Sequence, residues 1–159
     1  MIKRSEKLAF MEIKDGETVT FERMTGFTEF SLSKNPKEYS RKYIDEDMER
    51  SEVVSYSPSV SYKFDTDPDN NVHKILCNVA DRELIGEDAE CNIIIVDISK
   101  LDGTGKAKAL MRKFSVIPQS EGDDKDTYTV SGTLRACGGK KFGLASTIDN
   151  WQTVTFVEE

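Results

Sequence analysis

Between Val54 and Asp65 apolar and polar residues alternate with a period of two. Val54, Tyr56, Pro58, Val60, Tyr62 and Phe64 take the even positions, and Ser55, Ser57, Ser59, Ser61, Lys63 and Asp65 the odd ones. In an extended chain the two sets point to opposite faces. The pattern therefore predicts a strand with its apolar face on the core and a second face made mostly of serine. Twelve extended residues at about 3.3 Å each span roughly 40 Å, which is long for a strand of a small domain. Pro58 has no amide donor, so a bulge or bend is expected in mid-strand, and the register can slip there.

A second extended segment follows Asn35-Pro36 and covers residues 37–45. Tyr39, Arg41 and Tyr43 fall on one face, and Glu38, Ser40, Lys42 and Ile44 on the other. Neither face is apolar, which is unusual for a half-buried strand. The two segments together predict a long hairpin over about residues 37–64, with the charged run Glu46 to Arg50 near its tip.

Elsewhere, residues 17–23 alternate after the turn signal Asp15-Gly16 and predict a short strand. Asp67 as N-cap, Pro68 at the first helical position and Gly86 as a stop predict one helix over about 68–84. Its apolar stripe is Val72, Ile75, Leu76 and Val79. The β-branched run at 91–98 predicts a buried strand. Residues 106–117 fit a helix by pattern, but the flanking strands favour a strand. A polar turn is expected at 120–126 and a strand at 127–136, with Tyr128, Val130, Leu134 and Ala136 inward and Thr127, Thr129, Ser131, Thr133 and Arg135 outward. Residues 137–149 read as a Gly-rich loop. A last strand at 151–157 puts Val154 and Phe156 on one face. The sum is a single mainly β domain over residues 1–159, an antiparallel β-sandwich or barrel with one flanking α-helix and a long β-hairpin.

Charge narrows the function classes. The chain has 22 basic and 29 acidic residues, a net charge of −7. Such a balance disfavours binding nucleic acid by neutralising phosphates. There is no apolar run of about 18 residues to cross a membrane, and residues 1–7 lack the apolar core of a signal peptide. Cys77, Cys91 and Cys137 form no CxxC pair. They predict neither a disulfide framework nor a zinc site, and they suit folding in a reducing cytoplasm.

Candidate chemistry is sparse. His73 is the single histidine and lies beside the helical stripe, where a surface or interface role is expected. The run Asp102 to Lys106 lacks the spacing and the Ser or Thr of a phosphate loop and reads as a hairpin turn. Asp65, Asp67 and Asp69 lack the glycine and glutamate of a calcium loop and read as turn and cap residues. Cys137 has no identifiable base. No catalytic, metal or cofactor residue is assigned, and the chain is not expected to be an enzyme. A hydrolase using scattered carboxylates such as Asp97 and Asp149 would need a paired motif that is missing.

The serine face has two readings. It is either the plain wetted face of a monomeric β-sandwich binding module, or part of an assembled surface. In the second case the hairpin reaches beyond its own domain and pairs with neighbours, closing edges that monomers normally protect.

Three stretches favour the second reading. Met24 to Asp45, Glu52 to Asp65, and Asp81 to Ala89 leading into Ile93 to Asp97 resemble the major tail tube proteins of phages of Gram-positive bacteria. The resemblance covers roughly residues 24–157. It implies the fold shared by tail tube proteins and the secretion-system tube protein Hcp, with hexameric rings stacked into a hollow tube that conducts DNA. It further implies that Ser55, Ser57, Ser59 and Ser61 face the lumen, while Val54, Tyr56, Val60, Tyr62 and Phe64 face the core. Tyr39, Arg41 and Tyr43 on the hairpin, the tip Asp45, Glu46 and Asp47, and the loop Gly138, Gly139, Lys140 and Lys141 become contacts between subunits or rings. The implied partners are further copies of the chain, a tape-measure protein inside, tail-tip or baseplate and terminator proteins at the ends, and a sheath if the tail contracts. DNA would pass without specific binding, and no membrane or cofactor is implied. The protein would be made in the host cytoplasm and end in the virion tail. A tube from a contractile bacteriocin or an Hcp-like particle fits the same resemblance.

Overall fold

The computed structural model describes residues 1–122 and 125–159. Its organisation is clearest from strand β7 (Glu90–Leu101), which is apolar on both faces because both are buried. Ile94 and Val96 enter one core, and Cys91 and Ile93 enter another.

The first core fills a closed antiparallel barrel of six strands. Around it run β1 (Lys7–Asp15), β2 (Thr18–Arg23), β11 (Thr153–Glu158), β10 (Lys141–Ser146), β8 (Ala107–Glu121) and β7. Inside lie Leu8, Phe10, Ile94, Val96, Ala107, Ala109, Ala145 and Val154. The small alanines fit the tight interior of a barrel with few strands.

The second core lies outside the barrel. Strand β8 is 15 residues long, so it outruns β10 and continues into a second sheet with β9 (Thr129–Ala136), β6 (Ser59–Asp65) and β3 (Phe27–Ser33). The inner face of this sheet carries Val60, Tyr62, Phe64, Val130 and Leu134. They pack with Met11, Ile93 and Phe114 on the outside of the barrel, and helix α1 (Asn71–Asp81) adds Val72, Leu76 and Val79. Sandwich and barrel are thus both present, sharing β7 and β8.

Helix α1 starts later and stops earlier than expected. Asn70, not Asp67, is the N-cap, and its side chain accepts from the amides of Val72 and His73. Asp67 instead caps a turn, accepting from the amide of Asp69 at 3.0 Å. His73 is not a surface residue but 1% exposed. Its ring stacks on Phe64 at 4.3 Å. Nδ1 accepts from the amide of Asp67 (3.1 Å), so Nε2 carries the proton and donates to the carbonyl of Thr25 (2.7 Å). Burial lowers its pKa below the ordinary value, partly opposed by the Thr25 carbonyl and by Asp67 and Asp65.

Three strands differ from expectation. β1 and β3 carry no alternation as regular as that of β6, and β10 runs through the expected Gly-rich loop. Gly143 in β10 sits where the carbonyl of Val157 occupies the space of a Cβ, so glycine there reflects close strand packing, not a loop. Within β9, Val130 and Leu134 are buried as expected, but Thr129 is buried too, and Tyr128, just before the strand, is exposed. The Tyr128 hydroxyl donates to Glu121 at 2.8 Å. The expected turn at 120–126 is shorter, since β8 reaches Glu121, and residues 123 and 124 lie outside the described residues.

Candidate assembly surface

A long hairpin is present, but it runs over residues 27–65 rather than starting at 37, and it has two parts. Its proximal half pairs β3 with β6 on the protein body. Its distal half pairs β4 (Pro36–Arg41) with β5 (Arg50–Tyr56) as a separate two-stranded ribbon. The break falls at Asn35 on one strand and at Ser57-Pro58 on the other, where the bend was expected. Asn35 takes a left-handed φ of 46°. Its side-chain amide donates to the Ser57 carbonyl and to Ser59 Oγ, both at 3.0 Å.

Beyond the break the alternation loses its meaning. Every residue of β4 and β5 is exposed. Val54 and Tyr56, expected on the core, are 56% and 58% exposed. The physical reason is that no second layer lies over the ribbon. Val54 is also the extra residue of a bulge, because Lys37 pairs with Ser55 and Glu38 with Val53. Arg41 lies over the rings of Tyr39 and Tyr43, at 5.7 and 5.8 Å. The ribbon's order comes from its ladder, the Ser40–Ser51 hydroxyl contact (2.9 Å) and the ion pair of Arg50 with Glu46 (2.6 Å).

The four serines do not form one row. Ser55 is on the ribbon and Ser57 is in the break, whereas Ser59 and Ser61 lie on the outer face of the body sheet. There Ser61 faces Ser31 on one side and Thr133 on the other, and Ser59 faces Ser33 and Arg135. Directly opposed residues share a face. Three strands, β3, β6 and β9, therefore build a hydroxyl-rich surface of Ser31, Ser33, Ser59, Ser61, Ser131 and Thr133. Glu29 and Lys63 oppose each other on it. Ser31 and Ser33 escaped the sequence reading, although their alternation with Phe30 and Leu32 carried the signal.

The contact candidates divide by place. Tyr39 and Arg41 are on the ribbon, and Tyr43, Asp45, Glu46 and Asp47 are in the loop joining β4 to β5. Gly138, Gly139 and Lys140 sit in the turn before β10, and Lys141 begins that strand. The Gly138 carbonyl accepts from Arg112 Nε at 2.7 Å. Lys34, at the base of the hairpin, and Arg112 approach Lys140. This basic cluster was not foreseen, because its members come from three distant parts of the chain.

The carboxylates raised for a hydrolase are tied up by local hydrogen bonds, Asp97 within β7 and Asp149 in the turn before β11. Ser99 holds Asp97 down to about 2 through its hydroxyl and amide, with help from Lys7. Thr153 does the same for Asp149, again to about 2. The Asp102 carboxylate accepts from Thr104 and Lys106 and closes the β7–β8 hairpin. Burial pushes the Cys91 thiol up to about 12, which leaves it protonated and unreactive at neutral pH. Among the described residues, no three His, Cys, Asp or Glu side chains gather as a metal site requires, and no helix is long and apolar enough to cross a membrane.

No protein-family model matches the sequence, and no curated protein matches it. Solved structures do match. A chain in the tail of an empty GTA particle, refined helically with C6 symmetry, superposes with a TM-score of 0.63 at 10% identity, covering 89% of this chain and 98% of that one. A chain of the six-fold symmetrised baseplate of the anti-feeding prophage gives 0.53 at 10% identity, covering 86% and 91%. The chain therefore has the fold found in these tail and baseplate components, a barrel with an attached sheet, one helix and a projecting hairpin.

Proposed function

We propose that the chain is a structural subunit of a phage-type tail tube. Six copies form a ring, and rings stack into a hollow tube that conducts DNA during ejection. The observation that carries this reading is the β4–β5 ribbon, which is ordered as paired strands yet buries nothing against its own body. A two-stranded ribbon is marginal alone, and unpaired strand edges invite association. Neighbouring copies are the natural cover. The fold likeness to a C6-symmetric tail chain adds support.

On this reading the hydroxyl-rich face, with Ser59 and Ser61, lines the lumen, and Ser55 and Ser57 continue it on the hairpin. A wall of hydroxyls in which Glu29 opposes Lys63, with Arg135 beside Ser59, offers DNA only a sparse cationic grip, so DNA slides. The tape-measure protein would occupy the lumen before DNA. Terminator and tail-tip or baseplate proteins would bind the ends, and a sheath the outside if the tail contracts. The subunit would be made in the host cytoplasm and catalyse nothing. The sequence resemblance narrows the particle to a phage of Gram-positive bacteria, with this chain as the major tail protein. A contractile bacteriocin or secretion-type particle is the second reading, favoured by the likeness to the anti-feeding prophage baseplate; a tube isolated without DNA-filled heads would select it.

Negative-stain electron microscopy with light scattering at rising protein concentration tests the proposal. Six-fold rings or hollow tubes are the expected result. A chain that stays monomeric even with tail-tip components added would refute it.

A further inference from the structure

The sandwich between barrel and outer sheet is closed at one end by α1 and open at the other, where the hairpin leaves the body. The open mouth is a cleft of about 50 Å³ between Leu32, Pro58 and the barrel residues Ile95, Leu110 and Phe114. That volume is far below the roughly 300 Å³ at which small-molecule pockets begin. It has room for the end of one apolar side chain.

Three cations rim the cleft, Lys34, Arg112 and Lys140. None of them takes part in an ion pair among the described residues. Burial, with Lys34 and Arg112 close by, holds the Lys140 ammonium below its usual pKa. Three like charges kept together over an apolar floor call for an acidic partner with an apolar tooth.

The chain carries such a segment. The loop from Lys42 to Glu49 has one base and four acids, Asp45, Glu46, Asp47 and Glu49. Among the described residues, only Glu46 of these four is in an ion pair. Met48 stands 78% exposed between Asp47 and Glu49. It is unbranched and adaptable, and suits a narrow slot. The loop cannot reach its own cleft, because β4 holds it about 20 Å away, six residues at about 3.3 Å each.

We propose that the hairpin tip of one copy docks on the cation-rimmed cleft of a second copy, with Met48 between Ile95, Leu110 and Phe114, and Asp47 and Glu49 against Lys34 and Lys140. The contact is head-to-tail, joining different surfaces of the two copies, and so propagates from copy to copy into a ring or filament. It rests on the reading that the chain self-assembles, and it names the surface that the tip meets.

Two charge-reversed proteins test it. One carries Asp47→Lys and Glu49→Lys at the tip; the other carries Lys34→Glu and Lys140→Glu at the cleft. All four side chains are exposed, so each protein should keep the wild-type melting temperature. Alone, each sets like charge against like, and the concentration needed for assembly should rise by about tenfold or more. Mixed, each tip meets a cleft of opposite sign, and assembly should return in sedimentation velocity and electron micrographs. Wild-type-like assembly of either variant alone overturns the docking and leaves the tube reading standing. A mixture no better than its components overturns it as well. A wild-type chain that stays monomeric with tail-tip components present overturns the tube reading, and the docking with it.

Discussion

Gly26→Ala is expected to cost about 2–4 kcal/mol of stability, and the structure divides that cost into two parts. Gly26 has φ +78°, a conformation that costs an alanine about 1–2 kcal/mol. The new Cβ would lie 2.9 Å from Cε1 of His73, inside van der Waals contact. The ring cannot swing aside. The Thr25 carbonyl holds Nε2, the Asp67 amide holds Nδ1, and Phe64 stacks against its face. Relief requires stretching one of those hydrogen bonds, at about 1–2 kcal/mol. For a chain of this size 1 kcal/mol moves the melting temperature by about 2–4 °C, so a fall of roughly 4–16 °C is expected. Urea unfolding followed by the fluorescence of Trp151, the single tryptophan, gives the free energy directly. Gly16→Ala is the control. Gly16 has φ +62° with nothing within 4 Å of its added Cβ, so it should show only the backbone part. A cost at Gly26 equal to that at Gly16 would refute the locked-ring argument, and a cost below about 0.5 kcal/mol would refute both parts.

Tyr62 is 1% exposed and its hydroxyl has no hydrogen-bond partner among the described residues, so Tyr62→Phe should leave urea stability unchanged or raise it by up to about 2 kcal/mol; a loss above about 1 kcal/mol would reveal a partner. His73 has a folded pKa below its unfolded one, so the unfolded chain binds the extra proton, and stability should fall as pH drops through about 6.5. Urea midpoints at pH 7.5 and 5.5 should differ in the wild type and converge in His73→Gln. Asp97 and Asp149, held to about 2, contribute stability that is lost only as pH falls below about 4. Val60→Asp places an unpaired carboxylate in a site 1% exposed and should prevent folding, whereas Ser57→Ala, exposed in the hairpin break, should stay within about 0.5 kcal/mol; circular dichroism of the soluble protein would show the reverse if inside and outside were exchanged.

Legibility followed burial. Val60, Tyr62 and Phe64 alternate in the sequence because one face of β6 meets a core and the other meets solvent. The same alternation at Val54 and Tyr56 misled, because the face of the ribbon it marks has no partner within the chain. Pro58 gave the true warning, since the strand breaks beside it. β1 was missed for the reason that makes β7 continuous. Leu8 and Phe10 enter the barrel while Met11 enters the second core, so no period of two survives. β10 was missed because Gly143 resembles a loop residue until Val157 is seen against it. The basic cluster of Lys34, Arg112 and Lys140 was beyond reach, because only the tertiary fold joins a hairpin base, a barrel strand and a turn.

The division of labour between body and hairpin bears on when the proposed assembly would occur. Both cores are complete without β4 and β5, neither of which contributes a residue to them. Folding of the body is therefore independent of the ribbon, and a newly made subunit can be stable before it meets a neighbour. The ribbon's apolar side chains, among them Val53, Val54 and Tyr56, stay in water until then. They are flanked by Glu52 and Ser55, and Arg41 covers the Tyr39 and Tyr43 rings. The interspersed polar side chains limit the size of the apolar patch left exposed. The remaining gain comes only where a neighbour supplies strand pairing and a matching surface together. On the proposed tube reading, a subunit built in this way would favour growth on an existing ring over random association.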